Sequence, residues 1–121
     1  MNTQAAILER PGRALPVVTA ERPEFTELLQ RARKLSPLLR ERAQQTERDR
    51  RVSAEVTHLL KEAGLYRAVQ PRRFGGHELS LEELRQLAFE VGRGCTSTGW
   101  CFGLSAANSW TLGMFPLEAQ E

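Results

Sequence analysis

The sequence is poor in almost every residue on which a self-contained catalytic centre or a stapled fold would depend. It holds two cysteines, two histidines, one tyrosine and only two lysines, Lys34 and Lys61, among 121 residues. Cys95 and Cys101 are six positions apart, neither a CxxC pair nor part of a four-ligand set, so no zinc site is expected. A disulfide would be out of place in a cytoplasmic chain, and both cysteines read as small buried residues. His58 and His77 have no serine, cysteine or carboxylate partner at a telling spacing, and two scattered histidines do not make a metal site. No Ser/His/Asp set, phosphate loop or paired-carboxylate arrangement is present in the pattern. No apolar run approaches the ~18 residues of a membrane-spanning helix. The opening MNTQAAILERPG lacks the basic start and apolar core of a secretory signal. The cytoplasm, without membrane attachment, is the expected location. An excess of one charge is also missing. Seventeen basic residues less two lysines leave fifteen arginines, but acids are interleaved with them and the net charge is +2. A nucleic-acid partner, which calls for a basic stripe, is therefore not expected. The cluster Arg48-Asp49-Arg50-Arg51 reads as a solvated helix end.

What remains is a helical pattern in a chain whose 40% apolar content is that of a globular domain. Residues 1–22 carry Pro11 and Pro16, with Pro23 at the edge, and read as a flexible leader. The domain is expected over 23–121. Phe25, Leu28, Leu29, Ala32, Leu35, Leu38 and Leu39 recur at three- and four-residue steps, the spacing of one helix face. Pro37 either kinks that helix or opens a second segment capped by Ser36, and the pattern ends near Arg48–Arg51. Ser53 is placed to cap a second helix with Val56, Leu59, Leu60 and Ala63 inward, and Gly64 to stop it. Leu65–Val69 reads as a short extended piece, and Pro71–Gly76 as a loop whose adjacent glycines permit positive φ. Ser80-Leu81-Glu82-Glu83 is a capping box. The helix behind it points Leu81, Leu84, Leu87, Ala88 and Val91 inward and ends at Gly92 and Gly94. Thr96 or Ser97 would cap a fourth helix over roughly 97–114. Pro116 suits the first turn of a fifth, within which the chain stops. The fold class is all-α, and the unfinished last helix suggests a piece of a longer protein.

The fourth helix differs from the others. STGWCFGLSAANSWTLGMF has no charged residue, and a helix apolar all round is expected to be buried on all sides, here under a part of the protein beyond this chain. Gly99, Gly103 and Gly113 allow close approach to the backbone. Ser97, Cys101, Ser105 and Asn108 fall at steps of four, four and three, which aligns small polar groups on one face. A bound ligand could satisfy them, or the serines could bond back to carbonyls one turn earlier and Asn108 to a neighbouring helix. Trp100 could wall a ring-shaped ligand or be plain core.

Two sets of motifs narrow this. Lys61-Glu62-Ala63-Gly64-Leu65, then Pro71-Arg72-Arg73-Phe74-Gly75-Gly76, then Ser80 resemble the N-terminal helical domain of acyl-CoA dehydrogenases. Gly94-Cys95-Thr96-Ser97-Thr98-Gly99-Trp100, Asn108-Ser109-Trp110 and Phe115-Pro116-Leu117-Glu118-Ala119-Gln120 look like the oxygenase branch of that fold, the two-component aromatic hydroxylases. The resemblance covers roughly residues 25–121. It implies reduced FMN or FAD supplied by a separate flavin reductase, transfer of one oxygen atom from O2 to a bound aromatic or polycyclic substrate, and a homotetramer. It puts Trp100 where the family's tryptophan borders the flavin and the substrate pocket. Asn108 and Ser105 join Trp100 as substrate-binding candidates. At Asn108 many aromatic hydroxylases have a histidine, and asparagine can hydrogen-bond but cannot titrate near neutral pH. The family's β-barrel and C-terminal four-helix bundle would follow residue 121 and supply most cofactor contacts and any catalytic base. The 121 residues alone are then expected neither to bind flavin tightly nor to turn over. Two other functions fit the residues less well: an FAD-dependent acyl-CoA dehydrogenase, and a non-catalytic helical interaction module.

Overall fold

The computed structural model describes residues 22–121. The expected leader lies outside them except for Arg22, which donates to the Glu78 carbonyl at 3.1 Å and pairs with Glu83 at 3.6 Å. Five helices follow: α1 (Pro23–Asp49), α2 (Ala54–Glu62), α3 (Leu81–Gly94), α4 (Thr96–Leu112) and the short α5 (Leu117–Gln120). Two 3-10 turns, Leu65–Arg67 and Arg72–Phe74, lie between α2 and α3, and there is no strand among the described residues.

Pro23 occupies the first turn of α1, where its missing N–H costs nothing. The helix runs through Pro37 as one element of 27 residues and does not divide there. The buried stripe of Leu28, Ala32 and Leu39 keeps its phase across the proline, and Pro37 itself is on the exposed side. Water can meet the carbonyl that Pro37 leaves without a donor, and packing decides the rest. Arg50 ends α1 in the left-handed region at φ 51°.

Ser53 caps α2 by accepting from the Val56 N–H at 3.2 Å. Gly64, at φ 78°, stops it and re-aims the chain. The next residues do not run extended as expected. Leu65, Ala68 and Val69 are all buried, and a 3-10 turn points the first two inward at its natural three-residue spacing. The return stretch 77–79, which passes through the left-handed region at Glu78 (φ 51°), supplies the hydrogen-bond donors instead. His77 and Leu79 donate to the carbonyls of Arg67 and Ala68 at 2.9 and 2.8 Å, and Glu78 donates to that of Gln70 at 3.0 Å.

The capping box of α3 forms as the sequence demands. Ser80 Oγ accepts from the Glu83 N–H at 3.2 Å, and Glu83 Oε2 accepts from the Ser80 N–H at 2.7 Å. Replacing Ser80 by alanine is expected to cost about 1 kcal/mol, read as a lower urea midpoint with an unchanged slope. Leu84, Leu87 and Val91 are buried as expected, whereas Leu81 is 44% exposed because it sits at the first position of α3, at the edge of the core.

Between α3 and α4 there is a single residue, Cys95. Its extended backbone forms the N-cap, and neither Thr96 nor Ser97 caps the helix. The turn can be this tight because Gly94 lies directly on α1: a Cβ there would stand 2.7 Å from both Leu39 Cβ and the Ser36 carbonyl oxygen. Gly92 lies within α3, not at its end. The core joins α1 and α3 to Val56 and Leu60 of α2 and to Phe102 and Ala106 of α4. Tyr66 meets Phe102 edge to face, with ring centroids 5.6 Å apart.

An open uncharged face on the fourth helix

The inner side of α4 is fixed by close contact with α3. A Cβ on Gly99 would lie 2.6 Å from Gly92 Cα and 3.2 Å from the Ala88 carbonyl oxygen, so backbone meets backbone at this crossing. One turn on, a Cβ on Gly103 would meet Ala88 Cβ at 3.5 Å. Thr98, Gly99, Phe102 and Ala106 are buried.

The outer side is open. Ser97, Trp100, Cys101, Leu104, Ser105 and Asn108 are all exposed, Trp100 to 70%. Burial all round is therefore not reached within these residues: α4 has α3 on one side and no element across the other. Cys101, expected to be buried, belongs to this exposed set, whereas Cys95 is buried. The four-four-three stripe of small polar residues does fall on one face, and it points outward. The back-bond expected of a serine is made instead by Thr111, whose hydroxyl donates to the Ala107 carbonyl at 3.2 Å. Beneath the face, burial pushes the Tyr66 phenol above its usual pKa, with the nearby Cys101 thiol adding to the shift.

Trp100, Ser105 and Asn108 thus share one surface. Four clefts, around Pro71, Pro37, Phe115 and Phe89, are lined by other residues. Two of those clefts, about 470 and 530 Å3, lie at the far end of α4 around Pro71, Gly113 and Gln120. Gln120 holds that end together. Its side-chain nitrogen donates to the carbonyls of Gly113, at 3.2 Å, and Phe115, and its oxygen accepts from Arg73 of the Arg72–Phe74 turn. The sequence signal for this brace was the Phe115–Gln120 motif, whose glutamine received no role.

Glu90 was also missed. Its side chain is only 8% exposed and is held by Arg33 of α1 at 3.2 Å and Arg93 of α3 at 3.1 Å. A charge in that position counts as part of a helical polar face until the fold brings Arg33 across. It ties α1 to α3 and is remote in role from the open face.

These features define an all-α domain with one uncharged helix packed on a single side. The chain belongs to the acyl-CoA dehydrogenase N-terminal domain family, whose model matches residues 23–121. Among curated proteins it is 40% identical over 101 residues to the oxygenase component of FADH(2)-dependent resorcinol hydroxylase from Rhizobium sp. (strain MTP-10005). It is 36% identical over 93 residues to the flavin-dependent monooxygenase oxygenase subunit HsaA of Rhodococcus jostii (strain RHA1). It is 34% identical over 94 residues to the oxygenase component of p-hydroxyphenylacetate 3-hydroxylase from Acinetobacter baumannii. These matches cover 84%, 77% and 78% of this chain and 25%, 24% and 22% of the relatives, so the chain spans about a quarter of their length. No solved structure matches it significantly.

Proposed function

We propose that this chain is the N-terminal part of an oxygenase that uses reduced flavin and O2 to hydroxylate an aromatic or polycyclic small molecule. The observation that carries the reading is the open face of α4, which is uncharged, presents one flat ring and is lined with short hydrogen-bonding side chains. The names of the three relatives support it, since all are oxygenases and two act on named phenols. The donor set fits a flavin ring on chemical grounds: Trp100 offers a flat apolar wall, and hydroxyl and amide groups suit the polar edge of the ring. This face has no arginine or lysine, so it has no grip for the flavin's phosphate.

In this reading Trp100 borders both flavin and substrate, Asn108 hydrogen-bonds the polar group of the substrate, and Ser105 flanks it. The bound reduced flavin supplies the electrons that allow one oxygen atom of O2 to enter the substrate. The contribution of the α4 side chains is to orient the substrate ring and keep water away. Asparagine at 108 holds no proton that titrates near neutrality, so it acts as neither acid nor base. The same reading carries a separate reductase delivering FMN or FAD, a homotetramer and a cytoplasmic location.

The test is made on the complete oxygenase with Trp100→Ala. Oxygen consumption is expected to continue, while the share of it recovered as hydroxylated product falls about tenfold and hydrogen peroxide rises in its place. Unchanged coupling would remove Trp100 from the pocket. Reduction of the flavin by an acyl-CoA thioester, with no hydroxylated product from any phenol, would overturn the oxygenase reading in favour of a dehydrogenase.

A further inference from the structure

We infer that Leu104 sets the ring size that the α4 face admits, an inference that rests on the oxygenase reading above. Leu104 is 53% exposed although it is a large apolar residue on a helix whose other side is core. It follows Trp100 by one turn and precedes Asn108 by one turn. At about 1.5 Å and 100° per residue, it stands about 6 Å along the axis from each and about 40° around it. Ser105 follows Leu104 in sequence and lies about 100° further round the helix. Trp100 and Ser105 mark the two edges of the exposed arc, and Leu104 and Asn108 lie near its middle. A ligand that stacks on the Trp100 ring and hydrogen-bonds the Asn108 amide must therefore cross over Leu104.

The helix cannot move away to make room. The Gly99–Gly92 contact is backbone on backbone, and Gly103 faces Ala88 one turn later. The height of the face above the core is fixed, and the space over its centre depends on the side chain at 104. Truncating the isobutyl group leaves more space between the two anchors for a wider ring system, and a larger side chain leaves less. Cys101 and Ser97 cannot play this part, because they are small already.

The experiment compares kcat/KM for 2-naphthol and for resorcinol in the complete oxygenase supplied with reduced flavin, unaltered and as Leu104→Ala and Leu104→Phe. Because residue 104 is exposed, neither variant disturbs the core. The naphthol-to-resorcinol ratio is expected to rise about tenfold in Leu104→Ala and to fall by a similar factor in Leu104→Phe, the size of effect a few methylenes have in an apolar pocket. A ratio that stays constant, or moves in the same direction in both variants, overturns the assignment of Leu104 and leaves the oxygenase reading standing. An unaltered protein that hydroxylates no phenol, and whose flavin is reduced by an acyl-CoA thioester, overturns both.

Discussion

Replacing Gly76 by alanine is expected to destabilise the domain by about 3 kcal/mol, the upper end of what forced overpacking costs. A Cβ at this position would fall 2.0 Å from the Gln70 carbonyl oxygen, 2.4 Å from its carbon and 2.5 Å from Gln70 Cβ. These are backbone and near-backbone atoms with no freedom to swing aside. The Gln70 carbonyl is held by the Glu78 N–H at 3.0 Å, and the Gln70 side chain donates to the Phe74 carbonyl at 2.8 Å. Relief therefore requires the whole turn to open. Gly75 is the useful contrast. It adopts φ 82°, but a Cβ there would meet only the end of Arg67 at 3.8 Å. Gly75→Ala should cost the left-handed strain alone, about 1–2 kcal/mol. Urea denaturation of the two variants measures the order. A larger loss at Gly75 than at Gly76 would show that conformation, and not close approach, fixes this pair.

The second large effect is at the α3–α4 crossing, where two glycines should respond in opposite directions. Gly99→Ala puts a methyl 2.6 Å from Gly92 Cα and 2.8 Å from Gly92 N. The helices must separate, and a loss of about 2 kcal/mol is expected even after alanine's better helix propensity is counted. A Cβ on Gly92 would meet nothing within 4 Å. Gly92→Ala should therefore stabilise α3 by about 0.5–1 kcal/mol. Thermal and urea midpoints of both variants check this. Losses of similar size at both positions would mean that the two helices are not in backbone contact at the crossing. On the proposed oxygenase reading, Gly99→Ala should also impair coupling in the complete protein, because it displaces the face that carries Trp100.

The features legible in the sequence were the ones a few neighbouring residues decide. Ser53, Gly64 and the Ser80–Glu83 box are caps and stops whose partners lie within four positions, and each forms where expected. Where tertiary contact decides, the pattern was silent or misleading. Pro37 breaks a helix in isolation, but the continuous packing of Leu28, Ala32 and Leu39 carries α1 through it. Leu65–Val69 is too short and apolar to separate a strand from a 3-10 turn by periodicity. Both glycines of the Pro71–Gly76 loop suggested positive φ, yet only Gly75 has it, and Gly76 is needed for the space it leaves to Gln70. The candidate site shows the same division. The alignment of Ser97, Cys101, Ser105 and Asn108 follows from spacing alone. Which way the stripe points follows from what α3 covers, and no reading of α4 by itself could supply that.

A joint between two helices made only of main-chain atoms has no rotamers. Most helix contacts rest on side chains that exchange among wells, and whatever is mounted on such helices inherits the scatter. Between Gly92 and Gly99 there is nothing to exchange. The open face of α4 is consequently registered to the core without side-chain play at the crossing. The entropy of fixing that register is lost when the chain folds, not when a ligand arrives. In the proposed reading, a flat molecule settling against Trp100 meets a surface whose position is already settled.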